Sequence, residues 1–233
     1  MTTTFFQANH NIIKPYALMD LDDTLFQTQR KIDAWDLPMA KPESLVCATV
    51  NKQGEPLSFM SQRQAAFFNW LLASTELIVV TARDRSEIER VKLPFDSWQV
   101  LTHGAIILDE DGALQTQWQQ HMYSKLAPLQ EKLKHLSQLF ANHSKNDNSQ
   151  LVFTPHLDSF NNGANNKELT IYLALKHAQK DHQALVDLAE KLPTLIRDFE
   201  QDFYVHVNAN NLAILPHAVH KRHAVQFLLD NHL

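Results

Sequence analysis

The sequence lacks several features that define broad classes of protein. It has one cysteine, Cys47, in 233 residues, which excludes an internal disulfide and a metal site built from several thiolates. It has no apolar run near the ~20 residues that a membrane-spanning helix needs. Its first residues, Met1–Thr4, are polar rather than the basic start of an export signal. We therefore expect a cytoplasmic protein with no membrane partner.

An excess of positive charge is also absent. The chain has 21 lysine and arginine residues against 26 aspartate and glutamate residues, a formal charge of −5 at pH 7. The two signs are interspersed along the chain, whereas nucleic-acid-binding domains carry a basic patch. We therefore expect no nucleic-acid partner, and small substrates are favoured.

The most informative stretch runs from Tyr16 to Phe26, where a short apolar segment ends in Asp20, Asp22 and Asp23. This pattern is typical of a buried parallel strand that delivers reactive groups to the edge of a sheet, where open α/β sheets bind ligands. Asp20 and Asp22 point the same way in an extended backbone. Neighbouring carboxylates repel, so a site that keeps both usually holds a cation, commonly magnesium. An acidic turn or a helix N-cap explains the same residues, and this stretch alone does not decide.

A second apolar strand, Leu77–Val80, also ends in polar residues, Thr81 and Arg83. A threonine there can donate its hydroxyl to a phosphoryl oxygen, although threonine at such turns also commonly caps a helix. Arg83 either orients an anion or pairs with nearby acids. Between the two strands, residues 45–60 predict a β-hairpin, and Ser61 is a candidate N-cap for the helix that follows.

The second half of the chain predicts an inserted α+β unit. An amphipathic helix from Trp118 to Asn142 precedes two strands, a second helix and two more strands. We predict an α/β fold with a Rossmann-like parallel-sheet core, residues 1–115 and 216–233, and an α+β cap domain, residues 116–215. The asparagine-rich segment 161–166, with His156 and Asp158 nearby, either reads sugar hydroxyls or forms an ordinary hairpin loop.

Two further residues stand out on either side of this unit. Gly104, one of only four glycines, follows a third predicted strand and suggests a backbone requirement such as positive φ. Lys221 stands at the opening of a predicted helix, where free N–H groups and the helix dipole favour an anion.

Together these landmarks resemble the haloacid dehalogenase superfamily. The cap resembles that of Cof-type, sucrose-phosphate and trehalose-phosphate phosphatases. The landmarks occur in the order typical of the superfamily: Asp20-x-Asp22-x-Thr24, Thr81, His103–Ile106 before the cap, and Pro216–Lys221 after it. His103 stands where relatives usually have asparagine.

The resemblance implies a magnesium-dependent phosphatase that acts on a small phosphorylated metabolite, with a sugar phosphate as the favoured class. It makes Asp20 the nucleophile that forms an aspartyl-phosphate and Asp22 the general acid and base. Thr81 and Lys221 would bind the phosphoryl oxygens, and the Asp20 carboxylate and Asp22 carbonyl would bind Mg2+. A non-catalytic relative that binds a phosphorylated ligand or a partner is the alternative, and a phosphomutase is a third option.

One landmark of the superfamily has no counterpart. In relatives, the helix that Lys221 opens is followed by a core strand that ends in aspartates for magnesium, and that strand pairs with the equivalent of Tyr16–Asp20. The sequence ends at Leu233, within that helix. We therefore expect weak metal binding, which puts catalytic competence in question, and an uncovered sheet edge at Tyr16–Asp20. A longer protein, another segment or a homo-oligomer would cover such an edge.

Overall fold

The structure is a computed structural model that describes residues 13–34, 44–144 and 150–233. It divides into two compact units, Met1–Gln99 and Val100–Leu233. The strands are β1 (Tyr16–Met19), β2 (Gln27–Thr28), β3 (Val46–Val50), β4 (Pro56–Met60), β5 (Glu76–Val80), β6 (Gln99–Leu101), β7 (Ile106–Leu108), β8 (Leu151–Asn161), β9 (Asn166–His177), β10 (Phe203–Asn208) and β11 (Asn211–Pro216). The helices are α1 (Gln29–Ala34), α2 (Gln62–Ser74), α3 (Arg85–Ile88), α4 (Thr116–Leu126), α5 (Gln130–Ser144), α6 (His182–Lys191), α7 (Phe199–Asp202) and α8 (Lys221–Asn231).

In the first unit, the two predicted apolar strands pair in parallel. β1 lies beside β5, with Tyr16 opposite Glu76 and Met19 opposite Val79. Leu77, Ile78, Val79 and Val80 of β5 are all buried. Parallel strands end at the same edge of a sheet, so the residues after β1 and after β5 emerge together there. The parallel-sheet core predicted from the sequence is confirmed.

β1 is an edge strand among the strands that the structure describes, because β5 is its one neighbour there. Its side chains alternate, with Ala17 and Met19 packed against the core and Tyr16 and Leu18 43% and 38% exposed. Such an edge leaves one row of backbone N–H and C=O groups without a strand partner. The expected open edge at Tyr16–Asp20 is therefore seen in this part of the chain.

The predicted hairpin is confirmed and has a third strand. β3 and β4 pair antiparallel, and β2 joins the other side of β4. The next helix, α2, begins where the sequence predicts. The Ser61 side chain accepts a hydrogen bond from the Gln64 N–H, and the Gln64 side chain accepts one from the Ser61 N–H, so both residues form a capping box. Phe68 and Leu71 of α2 are buried in the core of this unit.

In the second unit, a four-stranded antiparallel sheet in the order β10-β11-β9-β8 forms the body of the predicted cap. One face of the sheet packs against α5 and α6. The buried cluster between them comprises Leu133, Leu136, Phe140, Leu173, Leu175, Leu185, Leu192, Phe199, Phe203, Leu212 and Ile214. Successive residues of a strand point to opposite faces, so Tyr172 and Ala174 lie on the face away from these helices. The inserted α+β architecture is confirmed.

The prediction of one continuous helix from Trp118 to Asn142 is wrong. α4 ends at Leu126, a 3-10 helical turn covers Ala127–Leu129, and α5 begins at Gln130. Pro128 explains the interruption because it has no N–H for the helical hydrogen bond and its ring clashes with the preceding turn. The predicted division into residues 1–115 with 216–233 and 116–215 stays a prediction. None of the helices in the described part of the chain is both long enough and apolar enough to cross a membrane.

A left-handed turn follows β6 and meets the start of α8. Thr102, His103 and Gly104 have φ values of 51°, 56° and 99°. Gly104 also packs closely, since a Cβ atom built there would lie 2.7 Å from the carbonyl oxygen of His220 and 2.9 Å from the nitrogen of Lys221. The backbone requirement expected at Gly104 is therefore twofold, a positive φ and a close approach between two segments of backbone.

We expect Gly104→Ala to lower the free energy of unfolding by about 3 kcal/mol, because the new Cβ meets rigid backbone at a left-handed φ. Gly112→Ala is the matched control, since Gly112 has φ +77° with nothing within 4 Å of the added Cβ. That control should cost only about 1 kcal/mol. Denaturant titration of both variants measures the difference, and equal losses would show that the close approach has no energetic importance.

Candidate functional site

The loop after β1 presents its carboxylates around a buried apolar anchor. Leu21, Leu25 and Phe26 are at most 1% exposed. The Leu21 carbonyl accepts N–H bonds from Leu25 at 2.9 Å and Phe26 at 3.4 Å, which closes the loop into a tight turn. Leu21 points into the core, so the residues on either side of it, Asp20 and Asp22, turn away from the core. The predicted pair of neighbouring carboxylates therefore lies directly after β1.

Asp22 forms a two-pronged ion pair with Arg83. The Arg83 Nε and Nη2 atoms each donate to a different carboxylate oxygen of Asp22, both at 2.8 Å. The guanidinium also lies 5.3 Å from the centre of the Phe26 ring, and its side chain is only 14% exposed. Of the two roles considered for Arg83, pairing with an acid is the one that the structure has. Bidentate pairs of this kind fix both partners more firmly than a single contact.

Burial and the acids around Arg83 act on its charge in opposite directions. Burial alone would lower the pKa of the Arg83 guanidinium, but the hydrogen bonds and negative charge of Asp22, with smaller effects from Glu87 and Asp20, raise that pKa above its ordinary value. Arg83 is therefore a permanent cation beside the acidic loop.

Thr81 is fully buried at the end of β5, where its hydroxyl oxygen accepts a hydrogen bond from the Arg83 N–H at 3.2 Å. A hydroxyl oxygen that accepts one bond still has its own proton to donate. The helix-capping role that was the alternative for Thr81 belongs to Asp84, whose side chain accepts from the Glu87 N–H at the start of α3. The Thr81 hydroxyl therefore keeps a proton to donate, and its predicted role with phosphate stays a prediction.

In the second unit, Lys221 is the first residue of α8, and His220 caps that helix by accepting the Arg222 N–H on its Nδ1 at 3.0 Å. Lys221 is partly buried. The Gly104 contact fixes the backbone at this helix start. The prediction that Lys221 opens a helix is confirmed, whereas its predicted role with phosphate stays a prediction.

The left-handed turn carries strain and an unmatched polar group. Thr102 is branched at Cβ, and such residues rarely adopt a positive φ. Its buried hydroxyl has no hydrogen-bond partner among the described residues. The indole nitrogen of Trp118 donates to the Gly104 carbonyl at 3.1 Å, which holds the turn against α4. Strained backbone of this kind is concentrated at functional positions in proteins.

Three rings meet on the face of the cap sheet opposite α5 and α6. The ring of His156 stacks on Tyr172 with 4.2 Å between centres and 8° between planes. His103 approaches the same tyrosine edge-on at 5.1 Å. Burial lowers the pKa of His103 to about 4, with the positive charge of Lys221 and of nearby histidines adding to the effect. His103 is therefore a neutral imidazole near pH 7.

The asparagine-rich segment forms an ordinary hairpin turn. The Asn162 side-chain oxygen accepts the Ala164 and Asn165 N–H groups, and the Asn161 side-chain oxygen accepts the Gly163 N–H at 2.6 Å. These side chains bind their own turn, as asparagine commonly does. The sugar-reading role considered for this segment has no support in these contacts.

Tyr172, whose ring contacts those of His103 and His156, is a residue that we did not single out from the sequence. The signal was the alternation along β9, in which Leu173 and Leu175 face the helices and Tyr172 faces the other way. A single large ring among apolar residues is also typical of a core, so the alternation alone did not point to it.

A metal site is not preformed by side chains in the described part of the chain. No group of three or more His, Cys, Asp or Glu residues clusters there in a way that could hold an ion. The predicted ligands, the Asp20 carboxylate and the Asp22 carbonyl, are hard oxygens, the donor type that magnesium prefers. They would hold a magnesium ion only in part, and water and substrate phosphate would provide its other ligands.

The lowered pKa of His103 predicts a pH-dependent stability. Between pH 6.5 and about 4 the unfolded chain protonates this imidazole and the folded chain does not, so stability falls as pH falls through that window. The difference amounts to about 3 kcal/mol. His103→Asn, which tolerates the same backbone, should remove this dependence when the unfolding free energies of both proteins are compared across the window. An NMR midpoint for His103 near 6.5 would contradict the prediction.

No protein-family model and no curated protein matches the chain. Among solved structures, it is similar to the C-terminal domain of trehalose-6-phosphate phosphatase from C. albicans, with a TM-score of 0.50, 15% identity, and 94% of this chain and 62% of that chain covered.

Two further similar structures fall just below that score. Sucrose-phosphatase from Synechocystis has a TM-score of 0.49, 16% identity, and 94% and 70% coverage. A haloacid dehalogenase-like hydrolase from B. subtilis has a TM-score of 0.44, 15% identity, and 94% and 78% coverage. The similarity to the C. albicans domain agrees with the parallel core, the inserted α+β unit and the order of landmarks. The chain therefore has the haloacid dehalogenase-like fold with an inserted α+β cap.

Proposed function

We propose that the chain is a magnesium-dependent phosphomonoesterase that uses an aspartyl-phosphate intermediate. The observation that carries the proposal is the pair of carboxylates, Asp20 and Asp22, that follows β1 at the sheet edge where the parallel strand β5 ends in Thr81. Phosphoryl transfer needs positioned groups and neutralised charge more than elaborate covalent machinery. Asp20 and Asp22 would supply the nucleophile and the acid, Thr81 would supply a hydroxyl donor, and Lys221 would offset the phosphoryl charge.

In the first half of the proposed reaction, an oxygen of Asp20 attacks phosphorus. The bond from phosphorus to the ester oxygen breaks, and that oxygen takes its electron pair and a proton from Asp22. The alcohol leaves, and Asp20 carries the phosphoryl group as an acyl phosphate. Thr81 would donate its hydroxyl proton to a phosphoryl oxygen.

In the second half, water attacks the same phosphorus. Asp22, now a carboxylate, accepts the proton of the attacking water as general base. The bond between phosphorus and Asp20 breaks, which restores the Asp20 carboxylate and releases inorganic phosphate. Asp22 is protonated again and ready for the next ester.

Magnesium would be held by the Asp20 carboxylate and the Asp22 carbonyl, where it would neutralise phosphoryl charge. With so few protein ligands, we expect binding that depends on the substrate phosphate. This expectation agrees with the weak metal binding predicted from the sequence.

We further propose a sugar phosphate as the class of substrate. An inserted cap commonly closes over a site and selects the group that leaves. The C. albicans domain of similar fold is named for trehalose-6-phosphate, a sugar phosphate, and this adds support to the choice. A protein that binds a phosphorylated ligand or a partner without turnover is the second candidate.

Asp20→Asn decides between these two functions. We expect it to lower the kcat for hydrolysis of a generic phosphate ester in the presence of Mg2+ by at least about 10³-fold, because the amide is not a nucleophile. Asp23→Asn is the matched control, since Asp23 is the next carboxylate of the same loop and pairs with Lys31. It should keep kcat within about threefold. Equal activity in wild type and Asp20→Asn would rule out the aspartyl-phosphate mechanism.

Lys221 gives a second test of the phosphatase. Its assignment to the phosphate rests on the sequence resemblance, and Lys221→Ala is expected to weaken binding of inorganic phosphate about tenfold through the loss of a charged hydrogen bond. Arg222→Ala removes a neighbouring, exposed cation from the same helix and should leave that affinity within about twofold. Isothermal titration with phosphate measures both variants. If both variants lose the same affinity for phosphate, Lys221 contributes only its positive charge near the start of α8 and makes no specific bond to phosphate.

A further inference from the structure

Two histidines on the outer strands of the cap sheet lie on the same face of that sheet. Residues directly opposite each other in neighbouring strands share a face. His156 of β8 is opposite Tyr172, and Tyr172 shares its face with Ala174, two residues further along β9. Ala174 is opposite Ala213, which in turn is opposite His206 of β10. His156 and His206 therefore both lie on the face turned away from α5 and α6.

A third histidine, His103, reaches this face from the left-handed turn after β6. It meets the Tyr172 ring edge-on with 5.1 Å between ring centres, while His156 stacks on the same ring at 4.2 Å. Tyr172 is 5% exposed and lies in an inner strand of the sheet, so its ring is a firm support. Two imidazoles from separate segments of the chain are thus held against one side chain.

The ionisable groups that act most strongly on His103 are basic. Burial is the main cause of the lowered pKa of His103, and the next largest effects come from Lys221, His206, His156 and His220. Groups that can all become positive disfavour one another's charge, and an anion among them relieves that repulsion. An oxyanion also accepts hydrogen bonds from imidazole N–H groups and from an ammonium. The cluster is therefore suited to a negatively charged group.

Lys221 connects this cluster to the proposed phosphatase. It is the residue that would bind the phosphoryl group, and it is also the ionisable side chain with the largest effect on His103. A group held by the histidines would therefore lie next to that phosphate and belong to the same molecule. Such a molecule has two acidic groups.

We propose that His103, His156 and His206 bind a second acidic group of the substrate, which is a carboxylate or a further phosphate. This inference rests on the proposed phosphatase function. It narrows the substrate class from sugar phosphates in general to those in which the part that leaves is itself an anion.

The test compares esters that differ by one acidic group, and it measures binding rather than turnover. Asp20→Asn is titrated calorimetrically in the presence of Mg2+ with 2-phosphoglycerate and with glycerol 2-phosphate, in which a hydroxymethyl group replaces the carboxylate. Glucose 1,6-bisphosphate and glucose 6-phosphate form a second pair, which tests a further phosphate. In at least one pair, the ester with the second acidic group should bind about tenfold more tightly, because hydrogen bonds to a charged group are strong.

Variants in the same Asp20→Asn background locate the preference. His156→Phe keeps a ring that can stack on Tyr172 but removes the N–H, so the preference should fall to about twofold, whereas affinity for the less acidic ester should stay the same. His206→Ala should act in the same way, and because His206 is exposed it carries the test where thermal unfolding shows that His156→Phe folds poorly. His135→Phe is the matched control, since His135 is exposed on α5, which packs against the other face of the sheet. It should keep the full preference.

The outcomes separate this inference from the phosphatase proposal. If neither pair of esters shows a preference, or if the preference survives in both His156→Phe and His206→Ala, the second anion site is overturned. If these variants weaken both members of a pair equally, the cluster binds hydroxyl groups rather than an anion, and the inference is overturned as well. If the preference is found and then lost as expected, but wild type hydrolyses none of the four esters, the anion site is supported and the phosphatase proposal fails.

Discussion

The parallel pairing of β1 with β5 is the constraint on which the candidate site of the first unit depends. Asp20, Asp22, Thr81 and Arg83 come from two segments about sixty residues apart in sequence, and only the shared end of two adjacent strands brings them together. The apolar content of both strands stabilises that pairing, and the buried side chains of Leu21 and Phe26 then turn the chain sharply at the sheet edge. Asp22 is exposed at this edge, whereas the neighbouring apolar side chains are buried.

In the second unit, a close contact between two segments of backbone acts as an equivalent constraint. Gly104 allows the turn after β6 to approach the carbonyl of His220, which fixes the start of α8 relative to that turn. The turn bears a strained Thr102 and the neutral ring of His103, and the Trp118 indole secures it from α4. The strain at Thr102 is retained because several contacts determine this backbone at once. One glycine thus positions both a cation and an imidazole.

The sequence predicted those features that depend on local patterns. Apolar runs followed by polar residues located both strand ends, and Ser61 as a candidate N-cap located the start of α2. Pro128, which lies between α4 and α5, is also a local signal for the end of a helix. We nevertheless predicted one helix, because the residues on both sides of Pro128 have amphipathic spacing. Contacts between segments that are distant in sequence could not be predicted from these local patterns. Tyr172 is the partner of His156 because the two residues lie opposite each other across β8 and β9. Asp22 meets Arg83 because the loops that carry them follow the parallel strands β1 and β5.

The ion pairs of the acidic loop explain why several carboxylates are tolerated close together. Asp22 pairs with Arg83 and Asp23 with Lys31, so each of these two acids has a cation beside it. The side chains of the Asp23 pair are 28% and 36% exposed, and pairs this accessible are screened by water and contribute little to stability. In the Asp22 pair, Arg83 is the more buried partner at 14% exposure, whereas Asp22 is 48% exposed and keeps contact with water. Asp22 and Asp23 thus each have a cation beside them, and the buried side chains of Leu21, Leu25 and Phe26 hold the backbone of the loop that carries these pairs.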